Sequence, residues 1–163
     1  MDKKDGELLE VLEKNARLTS KELATMLGLP EPEIDDRIKR LKQSGVLKKF
    51  TTVIDWEKAG KESVTAYIDV KVVPEARTGF TELGELIAAH ENVEEVCVAS
   101  GEYDLLVKIR CKDLKEVSEF VTEVLAPKKS VTGTMTHFVL KKFKEKGVVL
   151  GESKKDKHLV ISP

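Results

Sequence analysis

The residues best suited to holding a charged partner lie between Ile34 and Lys49. Ile34, Ile38 and Leu41 recur at i, i+4 and i+7, the spacing of one apolar stripe on a helix. Steps of about 100° per residue then turn Asp36, Lys39, Arg40 and Gln43 outward. Lys39, Arg40, Lys42, Lys48 and Lys49 are cations that neutralise phosphates, the sequence-independent part of binding to duplex DNA. Gln43 and the start of the helix are placed for base edges in a major groove. Glu31, Glu33, Asp35 and Asp36 crowd the first half of this segment, where carboxylates repel phosphates but accept a hydrogen bond from cytosine. Asp35–Lys39 and Asp36–Arg40 also stand in the favourable acid-then-base i,i+4 order, so a solvated helix laced with weak ion pairs accounts for the same pattern.

A helix that reads DNA needs neighbours to brace it. Leu8, Leu9, Val11 and Leu12 among charged residues predict a first helix over 3–14. Thr19 with Glu22 three residues later is a capping box opening a second helix, buried through Leu23, Ala24 and Leu27 and stopped at Gly28. Pro30 and Pro32 suit the first turn of the third helix, which Gly45 ends. Two short helices across a tight glycine turn, braced by another, form a helix-turn-helix. Residues 46–54, rich in β-branched and aromatic side chains, read as a strand, and 55–60 as a turn linking the halves.

The rest of the chain alternates. Val64–Val72 is apolar at every second position and reads as a strand ended by Pro74. A helix over about 79–90 (Phe80, Leu83, Ile87), strands over 93–99 and 105–109, a second helix through Leu114, Val117, Val121 and Val124, and a strand over 131–143 follow. The order β-α-β-β-α-β is the ferredoxin-like arrangement. Helices cover one sheet face; the other has no obvious cover within one chain, and pairing of two copies through it is the simplest solution.

Other chemistries find little support. His90, His137 and His158 belong to no Ser/His/Asp or metal motif, and no phosphate-cradling G-x-x-x-x-G-K occurs. Without a convergent acid, base and nucleophile, the chain reads as a non-enzyme needing no cofactor. Cys97 and Cys111 lack metal-ligand spacing, lie in apolar stretches and read as small hydrophobes. Net charge is −1, and residues 1–60 carry equal numbers of basic and acidic side chains, so nucleic-acid binding rests on local geometry. No apolar run reaches the roughly 20 residues of a membrane span, and the first residues lack a signal-peptide pattern, so no membrane partner and a cytoplasmic location are expected.

Specific motifs sharpen this reading. Arg17-Leu18-Thr19, Glu22-Leu23-Ala24, Gly28-Leu29, Arg37-Ile38-Lys39-Arg40-Leu41 and Gly45-Val46 resemble the Lrp/AsnC helix-turn-helix. Gly101-Glu102-Tyr103-Asp104-Leu105-Leu106 resembles that family's Gly-x-Tyr-Asp turn, and Thr134-Met135-Thr136 with Val139-Leu140-Lys141 its closing strand. The resemblance spans about residues 2–145 and implies an α+β chain: a winged-type helix-turn-helix followed by a ferredoxin-like βαββαβ (RAM) domain. The expected divisions are 1–46 for DNA binding, 47–61 for strand and linker, 62–145 for effector binding and oligomerisation, and 146–163 as a C-terminal extension in which 158–161 could add an edge strand.

It implies a sequence-specific regulator of transcription that binds double-stranded DNA and responds to an amino acid or related small molecule, as a homodimer assembling to octamers or larger rings. Arg37, Lys39, Arg40, Lys42, Gln43 and Lys48 form the expected DNA-binding set, and Gly101, Tyr103, Asp104, Thr134 and Thr136 the effector set carried over by position. Asp104 would meet an ammonium group, while turn N–H groups and threonine hydroxyls would meet a carboxylate. The alternative keeps the fold as a metabolite-sensing or assembly module whose acidic helix binds a protein partner, DNA binding having been lost.

Overall fold

A computed structural model describes residues 1–73 and 79–150. The chain divides into two compact units, Met1–Ile54 and Asp55–Pro163.

The first unit holds helices α1 (Lys3–Lys14), α2 (Ser20–Leu27) and α3 (Glu31–Gln43). Thr19 caps α2 through reciprocal bonds with Glu22, and Gly28 closes it at φ 65° in the left-handed region, as the sequence predicts. Pro32 occupies the first turn of α3. Leu8, Leu12, Leu23, Leu27, Ile34 and Leu41 form the buried core, with Ile38 packed against it. Each such side chain contributes about 1.5–3 kcal/mol on leaving water, which fixes the face that α3 turns inward.

Residues 46–54 do not form the expected strand. Their composition favours one, but a strand exists only as a member of a ladder, and among the described residues none of 48–54 donates a backbone–backbone hydrogen bond. Val46, Phe50 and Ile54 remain exposed.

The second unit contains β1 (Val64–Val72), α4 (Thr81–Ala88), β2 (Val93–Val98), β3 (Leu105–Cys111), α5 (Leu114–Glu119) running into a π-helical turn (Phe120–Leu125), β4 (Val131–Phe138), and the short strands β5 (Lys144–Glu145) and β6 (Val148–Val149). The four-stranded sheet has the order β2-β3-β1-β4 with antiparallel neighbours. This is the ferredoxin-like topology expected. Ala66, Ile68 and Val70 of β1 stand opposite Ile109, Val107 and Leu105 of β3. They form the core with Ile87, Val117, Phe120 and Leu125.

Two boundaries differ from expectation. α4 is shorter than 79–90, and Phe80 supplies no side-chain cap. β4 stops at Phe138 rather than reaching 143, because its partner β1 begins at Val64 and the last bond between them is Val139 N–H to Thr65 O. The chain then makes the β5–β6 hairpin, whose second strand lies in the C-terminal extension. Residues 158–161 lie outside the described residues.

The open sheet face carries Tyr67, Asp69, Leu106, Lys108, Met135 and His137, paired across the strands as Tyr67 with Lys108 and His137, and Asp69 with Leu106 and Met135. The chain does supply part of a cover here: Glu145 at the hairpin reaches Lys108 Nζ at 3.2 Å. Lys108 also meets Glu94 at 2.9 Å. Glu94 and Glu145 raise the Lys108 ammonium pKa against the opposing effect of burial. Arg110 Nε lies 2.7 Å from Glu94 without hydrogen-bond alignment, so that contact is Coulombic rather than a directed bond.

Candidate functional site

α3 divides its charged residues between two tasks. Lys39, Lys42 and Gln43 are exposed on it, and Lys48 is exposed beyond its end. Lys42 Nζ also sits 4.7 Å from the centre of the Phe50 ring, a cation–π contact that steadies a long side chain. The anticipated Asp35–Lys39 and Asp36–Arg40 pairs are replaced: Asp35 accepts from the Ser20 hydroxyl, and Arg40 turns to Asp5.

Arg37, one of the expected DNA-binding residues, is engaged within the first unit. Its side chain is only 14% exposed. Nε and Nη2 donate to Glu33 Oε1 at 2.9 and 2.7 Å, and Nη1 donates to Asp2 and Asp5 at 2.8 Å. Three carboxylates engage one guanidinium, and the Asp2, Glu33 and Asp5 bonds raise its pKa further. A side chain spent in this way braces α3 against α1 and is not available to a phosphate.

Asp5 is the centre of that brace. It closes a reciprocal cap on α1, with Asp5 N–H donating to Asp2 at 2.8 Å and Asp2 N–H donating to Asp5 Oδ2 at 3.0 Å. The backbone bond from Asp2, then Arg37 and Arg40, lower its carboxyl pKa to about 2 although burial opposes them. The sequence reading passed over this residue; the signal was an acidic side chain at the third position after the Asp2 N-cap, the spacing of a capping box.

In the second unit Gly101, Tyr103 and Asp104 of the expected effector set lie in the β2–β3 turn at one end of the sheet, while Thr134 and Thr136 lie along β4. Gly101 has φ 150°, a conformation that L side chains rarely adopt, although a Cβ there would meet open space. Tyr103 and Asp104 are half-buried. Asp104 N–H donates to Val70 O at 3.1 Å, and Ala99 N–H donates to Asp104 O at 2.9 Å. Its carboxylate Oδ2 accepts from Val72 N–H at 2.8 Å, where β1 shifts register against β4. Asp104 therefore anchors the turn to β1 with one oxygen.

Thr134 and Thr136 pair with Val70 and Ile68, on the helix-covered side of β4, and are half-buried. Thr134 and the end of β3 flank Val70 from opposite sides, about 10 Å apart at two strand spacings.

The cysteines differ. Cys111 is buried, and burial, then Glu116 and Asp113, push its thiol up to about 11. Cys97 is exposed on β2. Among the described residues no His/Cys/Asp/Glu cluster suits a metal, and no helix is long and apolar enough to cross a membrane.

Residues 1–42 match the model of the AsnC-type helix-turn-helix domain, and residues 65–149 match that of the Lrp/AsnC ligand binding domain. This chain belongs to the Lrp/AsnC family of transcriptional regulators. It is 41% identical over 164 residues to the uncharacterized HTH-type transcriptional regulator YugG of Bacillus subtilis, covering all of this chain and 99% of that one. It is 36% identical to the HTH-type transcriptional regulator FL11 of Pyrococcus furiosus, over 89% of this chain and 93% of the relative. The crystal structure of the transcriptional regulator NMB0573 of Neisseria meningitidis in complex with L-Met superposes with a TM-score of 0.68 at 26% identity, over 89% of this chain and 93% of that one. The Lrp/AsnC match assigns the two units a DNA-binding and a ligand-binding role, and leaves the individual contact residues to geometry.

Proposed function

We propose that this regulator binds duplex DNA sequence-specifically through the outward face of α3, and that a small molecule, an amino acid or close relative, changes its assembly or its DNA affinity. The observation that carries the DNA reading is the row Lys39, Arg40, Lys42 and Gln43, exposed along the helix that a helix-turn-helix lays in the major groove. Lys39, Arg40, Lys42 and Lys48 hold phosphates; Gln43 and the first turn approach base edges. Arg37 leaves the contact set because its donors are engaged within the unit.

The effector reading rests on the sheet end. Gly101 sets the turn, Tyr103 and Asp104 line it, and Thr134 and Thr136 bring hydroxyls from β4. One Asp104 oxygen is committed to Val72, and the other meets the ligand's ammonium group. That a relative of this fold crystallises with L-Met supports an amino acid as the class of ligand. Two copies pair through the open sheet face, where Tyr67, Leu106 and Met135 supply apolar area, and the dimers assemble further into octamers or larger rings. Dimerisation sets two half-sites about 34 Å apart, or a multiple of that.

Fluorescence anisotropy tests this, with duplex DNA from upstream of the chain's own gene against a scrambled duplex at two salt concentrations, with and without a pool of amino acids. Selective binding that weakens steeply with salt supports the reading. The exposed carboxylates Glu31, Asp35 and Asp36 on the first half of α3 favour a second reading, a module that docks on a protein. Absence of selective DNA binding at low salt, with or without amino acids, would favour that one.

A further inference from the structure

Asp5 and Glu22 occupy the same capping position at the start of α1 and α2. Glu22 caps its helix from an exposed position. Asp5 is 1% exposed and receives, besides the cap bond, two guanidiniums from residues 32 and 35 positions away. Capping alone does not require burial, since Glu22 manages without it. Burying a carboxylate is costly unless its charge is paired, so this cluster has a further consequence for what α3 displays.

That consequence falls on Arg40. Its Nη2 alone donates to both Asp5 oxygens, at 2.7 and 2.8 Å. Among the described residues Nε and Nη1 have no protein partner, and the side chain is 60% exposed. One nitrogen of the planar guanidinium is fixed, and the exposed side chain keeps its other donors free of protein partners among the described residues. Arg37, beside it, is engaged on every nitrogen and 14% exposed. The same carboxylate thus contributes to immobilising one arginine wholly and the other through one nitrogen.

We propose that Asp5 is a positioning residue of the DNA-reading helix: its buried carboxylate holds Arg40 by Nη2 so that the remaining, outward donors of the guanidinium are preset for a DNA phosphate. This rests on the reading of α3 as the DNA-contacting helix. A guanidinium held in one rotamer loses less freedom on binding than a free one. A planar guanidinium, unlike the point charge of lysine, delivers its donors only in the direction in which its plane is set.

The test uses the full chain and a duplex selected by the wild-type protein from a random pool, with affinity read by anisotropy, fold by far-UV circular dichroism and assembly by light scattering. Arg40→Ala weakens binding about 10-fold, and Asp5→Asn about threefold to 10-fold. The double variant binds no more weakly than Arg40→Ala, because Asp5 acts through Arg40. Arg40→Lys keeps the charge and leaves the α1 cap untouched, yet loses nearly as much as Arg40→Ala.

Losses that add in the double variant would reduce Asp5 to a fold-stabilising residue and overturn the proposal. So would unchanged or tighter binding by Asp5→Asn, which would show a residue that only neutralises Arg40. Wild-type affinity for Arg40→Lys would show that a point charge suffices. If Arg40→Ala binds like wild type, the fault lies in the placement of α3, and the role of Asp5 falls with it. A defect in Arg40→Ala without one in Asp5→Asn would overturn only the role of Asp5.

Discussion

The Val72 N–H donates to Asp104 Oδ2 at 2.8 Å, so the residue expected to meet a ligand's ammonium group first secures the end of β1. Two substitutions separate the tasks. Asparagine keeps an acceptor oxygen for Val72 but removes the charge; alanine removes both. Asp104→Ala should destabilise the second unit by about 1–3 kcal/mol, the cost of leaving the N–H of buried Val72 unpaired, read from urea unfolding. Asp104→Asn should unfold near the wild-type midpoint while its amino-acid affinity drops at least about 10-fold. Normal ligand titration by a stably folded Asp104→Asn would reduce the residue to a turn anchor.

Acid should act on the first unit through Asp5. Its folded pKa lies near 2 against an ordinary value of 3.8, and a depressed carboxyl favours the folded state while ionised. That contribution is fully present above about pH 4 and is lost as pH falls from there towards about 2. The unfolding midpoint of the wild type should therefore fall more steeply across that window than that of Asp5→Asn. Melts followed by circular dichroism at pH 5, 3 and 2 measure the difference. Parallel profiles would mean that the cap and the arginines do not favour ionised Asp5.

Glu145 ties the C-terminal hairpin to the open sheet face. It is 16% exposed and Lys108 is 11% exposed. The Lys142 and Arg110 side chains stand 3.5 and 3.8 Å away. Burial raises the Glu145 carboxyl pKa, but the Lys108 and Lys142 cations outweigh it and hold the group below its usual range. Glu145→Gln should cost about 1–2 kcal/mol, less than a fully buried pair because water still reaches the site. Faster amide exchange confined to 144–149 would accompany it. Exchange unchanged in that segment would show that the hairpin is held by other contacts.

Legibility in the sequence followed the range of the forces involved. The Thr19–Glu22 cap, the Gly28 stop and the alternation of Val64–Val72 are local, and each leaves a short pattern that survives into the structure. The ferredoxin-like order followed from such patterns in series. What failed was non-local. Arg37 and Arg40 choose carboxylates from α1 over the i,i+4 partner anticipated for Arg40, a choice invisible without the packing of the helices. β4 ends where β1 begins, so its length depends on a strand about 70 residues earlier. For the effector set, the Gly-x-Tyr-Asp turn was visible as a motif, but the Asp104 bond to Val72 depends on a strand pairing that spacing does not encode.

The segment 46–54 carries the composition of a strand without a ladder, and that mismatch makes its own prediction. Val46, Phe50 and Ile54 stay exposed and the backbone of 48–54 donates to no other backbone group among the described residues. An unpaired segment of this composition is a template for another strand, and a second copy of the chain is the partner always present at equal concentration. Amide exchange in 48–54 should therefore be fast at protein concentrations where the chain is monomeric and slow by at least about 100-fold once it dimerises. Exposed Phe50 supplies a second readout, since Phe50→Asp should weaken dimerisation without altering the helix content of the first unit. Protection that does not change with protein concentration would show that pairing between copies lies elsewhere, on the open face of the sheet alone.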